Sequence, residues 1–145
     1  MKFYIATDHA GIDLKDLTVE MLRAKGHEVE DLGPFSKERV DYPDYAVKVC
    51  ESVLSDAGAH GILICGSGIG MSMSANRFHG IRAALCHDAY TASMARAHND
   101  ANVLCYGERV VGAGVAESIV DAWIAGAFEG GRHCGRVEKI EAIRG

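Results

Sequence analysis

Gly61-Ile62-Leu63-Ile64-Cys65-Gly66-Ser67-Gly68-Ile69-Gly70 runs an unbroken apolar segment straight into three alternating glycines. An apolar run without alternation is the pattern of a strand covered on both faces, as in a parallel sheet. Glycines in alternation after such a strand let backbone N–H groups converge on one point, which makes a nest for an anion. The alternative reading is a tight turn that needs glycine for its geometry alone. The segment is not the dinucleotide fingerprint, because Met71 stands where the third glycine belongs, and no Gly-Lys-Ser/Thr follows to make a Walker loop.

Outward from this segment the chain alternates strand and helix. Lys2 to Thr7 reads as a strand ending at Asp8-His9-Ala10-Gly11. Leu14, Leu17, Met21 and Leu22 then lie on one helical stripe, which Gly26 stops. Glu28 to Leu32 is a weaker, acidic strand, and Gly33-Pro34 opens a polar loop to Arg39. Asp41 is placed to cap a helix starting near Pro43, with Ala46, Val49, Cys50, Val53 and Leu54 as its buried face. After the glycine turn a helix passes through Met73 and Ala75, and Ile81 to Cys86 forms a further strand. Asp88 caps a helix from Ala89 to His98, Ala101 to Tyr106 is the last strand, and Val115–Ile124 and Val137–Ile143 are helical. The pattern predicts a Rossmann-like, three-layer α/β/α sandwich over residues 1–145, with a roughly five-stranded parallel sheet and a C-terminal helix. Such sheets bind ligands at the carboxyl ends of their strands. That rule selects Asp8-His9, Cys65 to Gly70, His87-Asp88 and Gly107 to Arg109.

The bulk numbers set limits. A chain of 145 residues, 48% apolar and 24% charged, suits one globular domain. Its apolar runs are too short to cross a membrane, and an acid at Asp8 precludes a signal-peptide core, so a cytoplasmic place is expected. A net charge of −5 argues against nucleic acid as a partner. Arg132, His133 and Arg136 nevertheless cluster near the C-terminus, which suits a small anion. The five cysteines include no C-x-x-C pair, so neither a zinc knuckle nor a redox dithiol is expected, and no metal-ligand spacing is evident.

Single residues leave alternatives open. Cys65 is either a core thiol or, at a strand end facing a helix start, a base or nucleophile. His98 is either a histidine near a helix C-terminus or an acid or base at a site's rim. Asp8 can cap the next helix or bind a hydroxyl, and His9 can take an anion. Arg109, Arg132 and Arg136 are surface charges or a phosphate clamp; the last two are i, i+4 and share a face if that stretch is helical, although Glu129-Gly130-Gly131 suggests a flexible lead-in.

Taken together and in order, Asp8-His9-Ala10-Gly11, Asp41-Tyr42-Pro43, Gly61 to Gly70, Ala75-Asn76, Gly80 to Ala83, His98 to Leu104, Gly107 to Gly112 and Glu129 to His133 with Arg136 resemble the type B ribose-5-phosphate isomerases and the related galactose-6-phosphate isomerase subunits. The resemblance implies an aldose–ketose isomerase of ribose 5-phosphate and ribulose 5-phosphate, with an allose or galactose 6-phosphate isomerase as the alternative. It implies Cys65 as the base and His98 in ring opening. The N–H groups of Gly66, Gly68, Ile69 and Gly70, with Ser67, would hold the enediolate oxygen. Asp8 would bind hydroxyls, His9, Arg109, Arg132 and Arg136 the phosphate, and Tyr42 and Asn99 would line the site. No metal or cofactor is implied. Members are dimers or larger with sites shared between subunits, so a homodimer or homotetramer is expected, with His98 or some arginines completing a neighbour's site. One branch of the family uses a Glu in place of Met71; Cys65 puts this chain with the cysteine-base branch.

Overall fold

The computed structural model describes residues 1–143. Five strands and six helices follow one another as β1 (Lys2–Thr7), α1 (Ile12–Ala24), β2 (Glu28–Asp31), α2 (Tyr42–Ser55), β3 (His60–Cys65), α3 (Ile69–Ala75), β4 (Ala83–Leu85), α4 (Ala89–Asn99), β5 (Val103–Gly107), α5 (Ala113–Ala125) and α6 (Arg132–Ala142). All strand pairs are parallel, and the sheet order is β2-β1-β3-β5-β4.

Strand alternation divides the core into two layers. Phe3, Ile5, Ile62, Ile64, Leu104 and Tyr106 pack toward α1, α4 and α5, around Leu14, Leu22, Ala92, Ile119 and the fully buried Trp123. Tyr4, Ala6, Leu63, Cys65, Val103 and Cys105 face the other way, onto α2 and α3, against Val49, Cys50, Val53, Met71 and Ala75. Ile62, Leu63 and Ile64 have no exposed surface. Burying side chains of this size contributes about 2 kcal/mol each, which is why the central strand carries no polar residue between His60 and Cys65. The architecture is the expected α/β/α sandwich.

The connection leaving β1 goes to β2 on one side, and the chain beyond β3 continues to β5 and β4 on the other. The sheet therefore reverses its winding between β1 and β3, where the ends of the two strands leave a crevice. Asp8-His9 and Cys65-Gly66 meet at this point.

Four details depart from expectation. The strand expected over Ile81–Cys86 pairs only at Ala83–Leu85, because the Arg82 N–H is taken by the Asn102 side chain at 2.8 Å. The last helix begins at Arg132, not Val137, after Gly130 and Gly131 turn the chain with φ of 66° and 55°. Leu54, expected in the buried face of α2, is 48% exposed. Asp8 does not cap α1. Its Oδ1 accepts the Ala10 N–H at 2.9 Å, and Glu108 caps the helix instead, accepting the Leu14 N–H at 2.7 Å.

Candidate active site

A crevice of about 530 Å³ opens over the ends of β1 and β3. Asp8, His9, Tyr42, Cys65, Ser67 and Arg109 line it, joined by Gly66, Ile69, Gly70, Ala10, Met73 and Val110. Asp8 is 7% exposed, held by the Ala10 bond. His9 Nδ1 lies 3.2 Å from the Val40 backbone, which fixes the ring and leaves Nε2 for a ligand.

Cys65 ends β3 with 5% exposure, and its Sγ accepts the Gly68 N–H at 3.1 Å. An N–H aimed at sulfur is a stronger bond when the sulfur is a thiolate. Three other buried thiols lack such a donor. Burial pushes Cys50 up to about 12 and Cys86 to about 11, and raises Cys105 well above the ordinary thiol range, so these stay protonated in the core.

The turn is shaped by two glycines. Gly68 sits at φ 81°, a left-handed conformation, with its Cα against the Tyr106 backbone. Gly70 lies under the Tyr42 ring, where a Cβ would come within 2.5 Å of Cε1. Ser67 Oγ accepts the Ile69 N–H at 3.2 Å. The N–H groups of Gly66, Ser67 and Gly70 donate to no group among the described residues. The loop after β5 closes over the turn, with the Glu108 N–H donating to Cys65 O at 2.9 Å and the Arg109 N–H to Gly66 O at 3.0 Å. The Arg109 guanidinium lies along Gly66. Ala10, Met73 and Val110 are lining residues that sequence reasoning missed. Met73 and Val110 carry no chemical signature, and only the fold brings them here.

His98, Asn99, Arg132 and Arg136 are not in this crevice. Helix α4 runs back along the sheet, so its C-terminus lies beside the start of β5, while Cys65 pairs with Gly107 at that strand's end. Four residue steps of strand separate the two levels, about 13 Å. Helix α6 joins this second group: the Glu129 N–H donates to Ala97 O at 3.0 Å, and His133 stacks on His98 with centroids 4.3 Å apart and planes at 14°. Arg132 and Arg136 are exposed on α6, one turn apart. His98, Glu129 and His133 bring ligand atoms within 4.8 Å of one another. A ligand imidazole must aim its in-plane lone pair at the ion, and two nearly parallel rings cannot both do so, which makes this trio a poor metal seat.

The fold and crevice define an α/β protein that takes a small polar ligand at the switch point of an open sheet, with a thiol and free N–H donors in reach. The chain belongs to the ribose/galactose isomerase family, whose model, described as Ribose/Galactose Isomerase, matches residues 3–140. It is 50% identical over 142 residues to the ribose-5-phosphate isomerase B of Escherichia coli (strain K12), covering 98% of this chain and 95% of the relative. A crystal structure of a ribose 5-phosphate isomerase from Thermotoga maritima superimposes with a TM-score of 0.95 at 51% identity, covering 98% of each chain. The type B ribose 5-phosphate isomerase of Trypanosoma brucei gives 0.93 at 50% identity, covering 97% of each.

Proposed function

We propose that this chain, as one domain over residues 1–145, is an isomerase that interconverts ribose 5-phosphate and ribulose 5-phosphate. The observation that carries this reading is the Cys65 thiol, seated beside free N–H groups in the crevice of a chain from this family. The thiolate of Cys65 takes the proton from C2 of the open-chain aldose, and the C–H electron pair becomes the C1=C2 bond. The carbonyl oxygen O1 takes the negative charge, which the free N–H groups of Gly66, Ser67 and Gly70 stabilise at the moment it forms, those of Gly68 and Ile69 being already taken by Cys65 Sγ and Ser67 Oγ. The O2 proton passes to O1, O2 becomes the new carbonyl, and Cys65 returns its proton to C1. Only protons move, so the reaction needs no external oxidant or reductant. Asp8 binds hydroxyls, Tyr42 walls the crevice, and His9 and Arg109 hold the phosphate, which aligns C1 and C2 with the sulfur.

His98, Asn99, Arg132 and Arg136 serve a neighbouring subunit's crevice in this reading, because about 13 Å of strand separates them from Cys65 in their own chain. The exposed apolar side chains of Ile69, Met73 and Val110 at the crevice rim support a covered, interface position for it. Ring opening belongs to His98: O4 takes its proton as the C1–O4 bond breaks, and the O1 hydroxyl proton goes to solvent. A homodimer built this way has complete sites. The chain has no described helix long and apolar enough to cross a membrane, and a cytoplasmic place for it follows from the metabolic role proposed.

The test is turnover of ribose 5-phosphate by the purified protein in a coupled assay, beside Cys65→Ala. The variant is expected to lose about a thousandfold in kcat with little change in KM. Near-normal kcat in the variant removes Cys65 as the base. Turnover of a six-carbon sugar phosphate, with none of ribose 5-phosphate, replaces the substrate.

A further inference from the structure

His133 is the one histidine of the basic cluster that points inward. It is 4% exposed, at the second position of α6, where the His133 N–H donates to Gly130 O at 3.0 Å. Its Nε2 is buried and makes no hydrogen bond among the described residues. Burying a ring nitrogen without a partner has a desolvation cost that leucine or phenylalanine in the same slot avoids. What the imidazole offers there is its flat face. It lies on His98 with centroids 4.3 Å apart and planes at 14°.

Glu129 completes the arrangement. Its Oε1 lies 3.6 Å from His133 Nε2 and 3.8 Å from His98 Nε2, so one carboxylate faces the same edge of both rings. The segment carrying it is pinned to α4 by the Glu129 N–H donating to Ala97 O at 3.0 Å. Burial, then the charges of His98, Arg132 and Arg136, hold the His133 imidazole below its usual range against the pull of Glu129. Charging the buried ring of the stack is therefore disfavoured.

We propose that His133 is a positioning residue: its buried ring, stacked on His98, keeps the His98 imidazole in the plane from which it hands a proton to the furanose ring oxygen. The inference rests on the reading of His98 given above. A histidine side chain in solvent rotates about two bonds, and His98 is more than a third exposed at 37%. The stack removes most of that freedom on the side facing α6.

The experiment separates ring opening from enediolate formation. Turnover of ribose 5-phosphate requires both. Ribulose 5-phosphate carries its phosphate on C5 and cannot close a furanose, so exchange of its C1 hydrogen with D2O, followed by NMR, requires only the Cys65 half of the site. His98→Asn is expected to lose ribose 5-phosphate turnover and keep the exchange; if it keeps turnover, the role of His98 fails, whatever His133 does. His133→Ala is expected to lose about tenfold in kcat on ribose 5-phosphate while exchange stays within about twofold of the parent. His133→Phe keeps the stack and is expected to restore turnover to within about threefold. The positioning role is overturned if His133→Ala turns over normally. It is equally overturned if exchange falls in parallel with turnover, which marks a folding defect, or if His133→Phe is as impaired as His133→Ala.

Discussion

His60 makes the stability of this protein depend on pH in a calculable way. Its ring sits at the start of β3, edge-on to Trp123, and its Nδ1 accepts the Trp123 Nε1–H at 3.2 Å. A protonated ring would set two donors against each other. Burial first, and then the Arg96 charge, lower the imidazole from 6.5 to about 4, with Asp100 opposing. A histidine depressed in the folded state stabilises the fold above its unfolded value and loses that contribution as pH falls toward the folded value. The window is therefore pH 6.5 down to about 4. At about 1.4 kcal/mol per pH unit the full loss is about 3 kcal/mol, and solvent access to the half-buried ring reduces it to about 2. The assay is urea unfolding at pH 7, 6, 5 and 4.5 at one protein concentration, for the parent and His60→Gln. Glutamine keeps an acceptor for Trp123 and cannot titrate, so other histidines cancel in the difference. The difference between the two proteins should change by about 2 kcal/mol across the window. A difference that stays flat refutes the assignment of a neutral, Trp-bonded His60.

Gly70→Ala should leave stability unchanged or raise it by up to about 1 kcal/mol, from helix propensity in α3. The added Cβ displaces the Tyr42 ring, which is 40% exposed and can swing outward; thermal unfolding should hold while kcat/KM falls about tenfold. Lys15→Met should cost about 3 kcal/mol. Lys15 is fully buried, bonds both carboxylate oxygens of Asp31 at 2.9 and 2.8 Å and Pro34 O at 3.1 Å, and leaves Asp31 unpaired when removed. Urea titration reads the loss, and a change under 1 kcal/mol contradicts a structural role for the pair.

The fold was legible because each buried strand writes its own signature. Ile62-Leu63-Ile64 faces helices on both sides and tolerates nothing polar, and Asp88 shows as a cap, accepting the Thr91 N–H at 2.7 Å. Edges were less legible. The short β4 looks longer in sequence because Ile81 and Cys86, on either side of its three paired residues, are buried in the core as well. Helix α6 hid behind Gly130, Gly131 and Gly135, residues that weigh against a helix until the left-handed turn before it is seen. The crevice residues at strand ends could be selected by topology alone. His98 and the α6 arginines could not, because a sequence can show that His98 ends a helix but not that this helix ends at the far edge of the sheet, with α6 packed beside it. Lys15 and His60 gave no signal either. Lysine in a helical stripe reads as surface, and its burial depends on Asp31 arriving from another element.

The proposed division of the site between the subunits of a homodimer has one direct test. Cys65→Ala and an Arg132→Ala/Arg136→Ala double variant are each expected to be inactive alone. Mixed in equal amounts and allowed to reassort, half of the dimers carry one of each chain. Each such dimer pairs the intact Cys65 of one chain with the intact arginines of the other at one of its two sites. About a quarter of the parent activity should return. Mixtures that reassort, as shown by exchange of a tagged chain, and remain inactive contradict a site built from Cys65 of one subunit and α6 of its neighbour.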